Sequence, residues 1–324
     1  MSLSEDNTTT SSSSNNKSFS FGSHQSFPLR YGWIEKVCID LMKNMDKNKP
    51  KYIHRDNLKP EYLCLEYGLG SNMAKSIRFW LKACGITIDK PNSKIEPKFT
   101  NFAYQTFGPN GTDQYLEKKE TIWKLHYNLV TNSEFSSTWS WFFNEFRKQS
   151  FDRQQLVNDV FEASNSEKKT YTEANIKRDV DCFVRSYAGS ASMSSNVAED
   201  ALECPFVELN LIRKSFGNTL VAKRSDQKSL PDNLFLLSII NLSKILHSNT
   251  ITVETLLNAP YSPGCIFLLN REHLIERLEE LHKISENSFV LDQSSGLAQI
   301  IVNKENFKNI DQSIDINFDN KDAA

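Results

Sequence analysis

The sequence predicts a mostly α protein with small β-hairpins, built as tandem winged helix-turn-helix-like modules. Three observations lead there. Helical periodicity recurs through most of the chain, and a helix, helix, turn, helix order is followed by a polar-tipped hairpin. One helical unit also repeats at an offset of 103 residues, as from Met73 to Ile176. The stretch that organises the rest is G-L-G-S-N-M-A-K-S-I-R-F-W-L-K-A-C-G, residues 68–85. Met73, Ile77, Trp80, Leu81 and Cys84 fall on one helical face, while Lys75, Arg78 and Lys82 recur on the other. No acidic residue stands between Glu66 and Asp89, so the polar front is purely basic.

At 324 residues the chain has room for two or three domains. Its net charge of −2 excludes a generally basic nucleic-acid coat, so contact with phosphates has to come from local patches. No apolar run reaches the length of a membrane span. The Ser/Thr-rich start, with Glu5 and Asp6, lacks the basic and apolar regions of a secretory signal. Cysteines and histidines stand singly without metal-ligand spacing. That pattern argues against a structural zinc or a disulfide framework and for a reducing cytoplasm.

Residues 1–18 carry almost no apolar side chains and are expected to be disordered. The first winged-helix-like module spans 19–109. Its leading segment, 20–33, mixes aromatics with Gly and Pro and predicts a packed irregular stretch, followed by a helix from Trp33 to Met45. A short helix over 56–67 and a glycine turn come next, then the organising helix. A strand at 86–88, a polar turn at 89–96 and a return segment at 98–102 follow. In that order the organising helix takes the recognition position, with Asn72, Lys75, Arg78 and Lys82 toward DNA.

Residues 110–150 predict a helical connector from Asp113 to Asn132, then an aromatic run with Trp139, Trp141, Phe142, Phe143 and Phe146. Aromatics at this spacing fit the packing of two domains better than base stacking. His126 fits a hydrogen-bonded interhelical histidine. The second module, 151–225, opens with Asp152 and Thr172 as helix caps. Ile176, Val180, Phe183, Val184 and Tyr187 fall on the five apolar positions of the first copy, and Asn175, Arg178 and Arg185 on Asn72, Lys75 and Lys82. Lys177, Arg178 and Arg185 are therefore a second DNA-facing set. Ser76 and Arg78 are replaced by Asp179 and Asp181, which predicts a zwitterionic front suited to protein contacts or to a metal site. Two residues apart on a helix, these aspartates diverge, which weighs against a shared metal. A polar loop over 188–196, scattered carboxylates at Glu199, Asp200, Glu203 and Glu208, and a strand over 220–224 complete the module.

The third module, 226–306, predicts an apolar helix at 234–247 and a short helix capped by Thr252. A last helix is capped by Asn270, and a hairpin follows over 289–302. The last helix presents Glu272, Glu276, Glu279 and Glu280 beside Arg271, Arg277 and Lys283, a front that suits protein partners. Residues 307–324 form an acidic tail expected to be unfolded.

Five motifs carry a family resemblance: F-G-S-H-Q-S-F-P-L-R-Y-G-W (21–33), G-L-G-S-N-M-A-K-S-I-R-F-W (68–80), I-K-R-D-V-D-C-F-V-R-S-Y (176–187), L-E-C-P-F-V-E-L (202–209) and S-P-G-C-I-F-L-L (262–269). Together they resemble the bacterial domain-of-unknown-function family 4007. The resemblance implies a component of a DNA phosphorothioation system used in phage defence. It also implies partner proteins in that complex and, for one family type, DNA nicking with Mg²⁺ or Mn²⁺. The family pattern after the first histidine is H-E-T-F-P, whereas this chain reads His24, Gln25, Ser26, Phe27, Pro28. An amide does not ionise and binds Mg²⁺ weakly, so Gln25 cannot replace a glutamate ligand.

The sequence contains no identifiable catalytic constellation; His24, Asp179 and Asp181 are its candidates for chemistry. The expected function is a cytoplasmic DNA-binding subunit of a phosphorothioation system. Two other classes stand beside it, a winged-helix transcription regulator and a non-catalytic assembly scaffold.

Overall fold

A computed structural model of the chain describes residues 19–43, 52–89, 94–165, 170–189, 204–284, 289–292 and 298–303. The expected disorder of 1–18, the loop over 190–196 with Glu199, Asp200 and Glu203, the turn at 293–296 and the tail from 307 lie outside the described residues. Helices dominate, joined by small antiparallel sheets of two or three strands. Among the described residues no helix is long and apolar enough to cross a membrane.

The first unit contains α1 (Trp33–Lys43), a 3-10 turn (Arg55–Leu58), α2 (Pro60–Tyr67), α3 (Ser71–Ala83), β1 (Thr87–Ile88) and β2 (Lys98–Phe99). The single helix expected over 56–67 is split. Pro60 has no N–H with which to continue it and instead opens α2 at its first turn. Gly68 ends α2 in the left-handed region (φ 64), which a Cβ disfavours, and the chain turns into α3. Antiparallel pairing sets Thr87 against Phe99 and Ile88 against Lys98, and Tyr52 bridges Lys98 as well. The expected return segment stops at Phe99. There the Thr100 hydroxyl accepts the Ala103 N–H at 3.0 Å and starts α4 (Asn101–Phe107).

Two helices, α5 (Lys119–Thr131) and α6 (Ser137–Glu145), follow. The connector helix begins later than expected because the Asp113 carboxylate accepts the N–H groups of Glu117 and Lys118, holding a turn with Leu116 at φ 56. The second unit contains β3 (Ser150–Phe151), α7 (Arg153–Ser164), α8 (Glu173–Ala188), a 3-10 turn (Pro205–Leu209), β4 (Arg213–Lys214) and β5 (Leu220–Val221). Asp152 and Thr172 cap α7 and α8 through the N–H groups of Gln155 and Asn175. The third contains α9 (Asp232–Ile245), β6 (Thr250–Thr252), α10 (Val253–Asn258), α11 (Pro263–Ile266), α12 (Arg271–Ile284), β7 (Phe289–Asp292) and β8 (Gln299–Val302). Where a plain turn was expected at 262–264, Ser262 caps the extra short helix α11 through the Cys265 N–H.

The sheets share one strand order. In β3-β5-β4 and β6-β8-β7 the last strand lies in the middle. The same holds in the first unit, where β2 lies between β1 and the bridge from Tyr52. The core is continuous across the three units, and the aromatic run of α6 is central to it. Trp139 is fully buried, with Trp80 of α3 at 5.6 Å and Phe183 of α8 at 6.0 Å between ring centroids. Those two residues are equivalents in the repeat, so α3 and α8 meet over one indole. Phe142 and Phe143 are buried beside it, which rules them out as base-stacking surfaces.

Candidate nucleic-acid interface

On α3, Asn72 and Lys75 are exposed and Arg78 is half-buried. Lys75 and Arg78 form no ion pair among the described residues. Lys82 stands apart from them. Its ammonium lies 2.8 Å from Asp89 and over the Phe135 ring at 5.8 Å. Arg55 reaches the same carboxylate at 2.9 Å. Burial raises the Asp89 carboxyl, but bonding and charge from Lys82 and Arg55 outweigh it and hold the group below its ordinary value. Lys82 thus fastens the foot of the β1–β2 hairpin to α3, while Asn72, Lys75 and Arg78 make up the open front.

On α8, Lys177 and Arg178 are exposed and make no ion pair among the described residues. Arg185, the equivalent of Lys82, turns back onto the leading segment. Its guanidinium donates to the Ser26 carbonyl and its Nε to the Asp181 carbonyl at 3.3 Å. Of the two aspartates of the expected zwitterionic front, only Asp181 stays at the surface. Asp179 is only 2% exposed, because with Ile176, Val180 and Phe183 it completes an i, i+3, i+4, i+7 stripe that faces the core. Asp181 is 3.3 Å from Arg153 of α7. α8 presents Lys177 and Arg178 outward, with exposed Glu173 at its first turn and Asp181 partly exposed beside Arg153.

His24 and Asp179 are brought together, 155 residues apart in sequence. His24 Nε2 lies 2.8 Å from Asp179 Oδ1, and the ring is 1% exposed. The Ser26 N–H donates to His24 Nδ1 at 3.0 Å, which leaves the ring proton on Nε2, facing the carboxylate. Asp179 also accepts the Gly22 N–H at 2.6 Å and the Thr138 hydroxyl at 3.2 Å. Phe79 and Trp139 enclose the imidazole, with centroids at 5.7 and 5.6 Å. Both ring nitrogens and both carboxylate oxygens are taken, and the pair is shut off from solvent. This arrangement holds the leading segment against α6 and α8. On the other side the Phe27 carbonyl accepts from Trp80 Nε1 at 3.0 Å and Ser76 Oγ at 3.3 Å, so α3 grips the same segment. Gln25, at φ 50, donates through its amide to the Gly22 carbonyl at 3.3 Å and stabilises the turn around His24.

These residues do not fit a Mg²⁺ or Mn²⁺ site. A hard divalent cation asks for several convergent oxygens. Asp179 points inward and accepts three protein hydrogen bonds, whereas Asp181 pairs with Arg153. Among the described residues no cluster of three or more His, Cys, Asp or Glu side chains is arranged to hold a metal. His126 is likewise structural. Its Nε2 donates to the Ile266 carbonyl at 2.9 Å and its Nδ1 accepts from the Tyr187 hydroxyl at 2.7 Å. Burial lowers it to about 4, against a smaller upward effect of the Ile266 bond.

One basic feature was not singled out in the sequence. The β4–β5 hairpin exposes Arg213, Lys214 and Lys223, and β4 packs beside α8. Its signal is an acid-free run between Glu208 and Asp226, comparable to the one that marks α3. In the third unit the charges behave differently. Arg271 of α12 pairs with Glu254 at 2.8 Å and Arg277 with Asp232 at 2.6 Å, while Glu272, Glu276 and Glu280 are exposed.

The family model for a protein of unknown function (DUF4007) matches residues 21–318. The chain belongs to that family, as its five motifs indicate. Two similar solved structures are those of magnesium ion-bound SspB and of SspB, with TM-scores of 0.75 and 0.74. Each is 23% identical, and each match covers 89% of this chain and 86% of the other. At that identity the common property is the fold. No curated protein matches the chain.

Proposed function

We propose that this protein is the DNA-binding component of a phosphorothioation defence system, of the same type as SspB. In this reading each unit is a winged helix: α3, α8 and α12 occupy the recognition position, and β1–β2, β4–β5 and β7–β8 are the wings. The common strand order of the three sheets supports it, since a first strand pairs with the last and the last two form the hairpin. The observation that carries the DNA reading is the front of the repeated helix. Lys75 and Arg78 on α3, and Lys177 and Arg178 on α8, lack protein counterions among the described residues, while Lys82 and Arg185 are used internally. Positions that fold the protein are paired, and positions that face outward are left for phosphates.

The mixed front of α12, with its arginines tied down and glutamates exposed, supports contact with partner proteins of the complex, not DNA. Nicking is not assigned to His24, Asp179 or Asp181, the first two buried against each other and the third paired with Arg153. The test is a titration of purified protein into labelled duplex DNA from about 50 to 200 mM salt. Binding should weaken steeply, with log affinity linear in log salt, across that range. Absence of salt-dependent binding would leave the assembly-scaffold reading. A single preferred half-site bound by a symmetric dimer would favour the regulator.

A further inference from the structure

Phe216 lies at the tip of the β4–β5 hairpin and is 98% exposed, more than any other large hydrophobic side chain among the described residues. Singly exposed apolar residues are ordinary on protein surfaces. Three features set this one apart. First, the hairpin is rooted in the core. Phe151 faces Leu220 across β3 and β5, both are 2% exposed, and the Ala222 N–H donates to the Gln149 carbonyl at 2.9 Å. Second, the tip is closed on itself. The Ser215 N–H reaches the Thr219 carbonyl at 2.8 Å, and Gly217, at φ 68, makes the reversal immediately after the ring. An aromatic side chain with two rotatable bonds on such a base loses little conformational freedom when it docks.

Third, the charges of the hairpin itself are of one sign; the nearby Asp152, at the end of β3, is engaged as the cap of α7. Arg213, Lys214 and Lys223 are exposed on the strands and their edges, no acidic residue occurs from 209 to 225, and the hairpin packs beside the helix that presents Lys177 and Arg178. A ring projecting from a basic, acid-free mount matches a polyanion with flat apolar faces inside it. DNA whose bases are unpaired or unstacked is such a ligand. Cations track the backbone while an aromatic stacks on a base, a contact tolerant of sequence because every base has a π-face. A buried protein groove would accept the phenyl ring but gives no reason for the surrounding charge.

We propose that Phe216 is a base-stacking residue: the β4–β5 hairpin carries it to DNA with exposed bases, where its ring lies on an unpaired base while Arg213 and Lys223 hold the flanking phosphates. The inference rests on the DNA-binding reading and adds to it the state of the DNA that is recognised, at a position separate from α3.

The test compares wild type, Phe216→Ala, Phe216→Trp and Arg213→Ala/Lys223→Ala on three probes: a single-stranded oligonucleotide with one 2-aminopurine, the same sequence as an intact duplex, and anionic vesicles. Phe216 is exposed, so each variant should melt with the wild type. Phe216→Ala should lose about tenfold in affinity for the single strand and abolish the stacking-dependent change in 2-aminopurine fluorescence. Its salt dependence should stay unchanged, and its duplex binding should fall much less. Phe216→Trp should retain the single-strand affinity. Arg213→Ala/Lys223→Ala should reduce the salt slope by about two. Equal single-strand binding by wild type and Phe216→Ala overturns the inference and leaves the DNA-binding reading intact. Loss confined to vesicles overturns it too. A wild type that binds neither DNA probe removes the DNA-binding reading on which it stands.

Discussion

The two copies of the repeated helix differ most where they meet the same piece of chain. At equivalent positions α3 offers a hydroxyl, Ser76, and α8 a carboxylate, Asp179. Ser76 adds a second donor to a carbonyl that Trp80 already bonds, whereas Asp179 accepts from Gly22, His24 and Thr138 together. A similar asymmetry recurs at α5, which lies against both. On the α3 side Asn128 donates to the Cys84 carbonyl at 3.0 Å, and on the α8 side His126 accepts from Tyr187 at 2.7 Å. One helical plan thus keeps its apolar positions and one outward cation, Lys75 or Arg178, and varies the polar groups that lock it to its neighbours. Toward the leading segment and α5, the α8 copy is fixed by ionisable groups and the α3 copy by neutral ones.

This contrast is open to direct attack. The largest effect is expected for Asp179→Ala, which strands the buried donors of His24 and Thr138 and the half-buried Gly22 N–H and should destabilise the fold by about 3 kcal/mol or more. Ser76→Ala should cost about 1 kcal/mol, because Trp80 still satisfies the Phe27 carbonyl. Urea unfolding of both variants decides it. Equal losses would mean that the carboxylate is not the stronger anchor. Acidification should loosen the α8 side in particular. With His126 lowered from 6.5 to about 4, the unfolded chain binds a proton that the native state refuses between those values. Stability from this group is full above about pH 6.5 and falls by about 3 kcal/mol in total as pH drops to about 4. His126→Gln should flatten that slope in pH-dependent melts, and an unchanged slope would place the acid sensitivity elsewhere.

A smaller effect belongs to the α3 side. Gly85 has φ 68, and a Cβ there would lie 2.7 Å from Asn128 Nδ2, so Gly85→Ala should cost about 1–3 kcal/mol. Wild-type stability in Gly85→Ala would show that Asn128 yields freely. The smallest belongs to Arg153→Ala. Its pair with Asp181 is partly exposed and should be worth less than about 1 kcal/mol by the same unfolding assay. A loss near that of Asp179→Ala would restore a special role to Asp181.

Caps and periodicity made much of this legible before any coordinates. Asp152, Thr172, Thr252 and Asn270 start the helices they were expected to start, and the offset between the copies made Trp80 and Phe183 equivalent, a pair that the structure brings onto one indole. Local chemistry misled where a single residue redirects the chain, as Pro60 splits the helix expected over 56–67 and Thr100 starts α4. The site was harder. Lys82 and Arg185 carry the same spacing signal as Lys75 and Arg178, and only the approach of Asp89 and of the Ser26 carbonyl separates folding cations from outward ones. The burial of Asp179 was readable, since it sits three residues after Ile176 and four before Phe183. Its partner His24, 155 positions away, was not. Phe216 carries no periodic signal because a hairpin tip has none; the acid-free run around it is the only trace.

The most direct test of the DNA reading is the salt dependence of duplex binding by wild type beside the variant Lys75→Glu/Arg78→Glu/Lys177→Glu/Arg178→Glu, with Lys82 and Arg185 untouched. The predicted result is an unchanged melting temperature, a salt slope about four smaller in magnitude and affinity lost at every sequence tried. A variant that binds duplex DNA with the wild-type slope would contradict it.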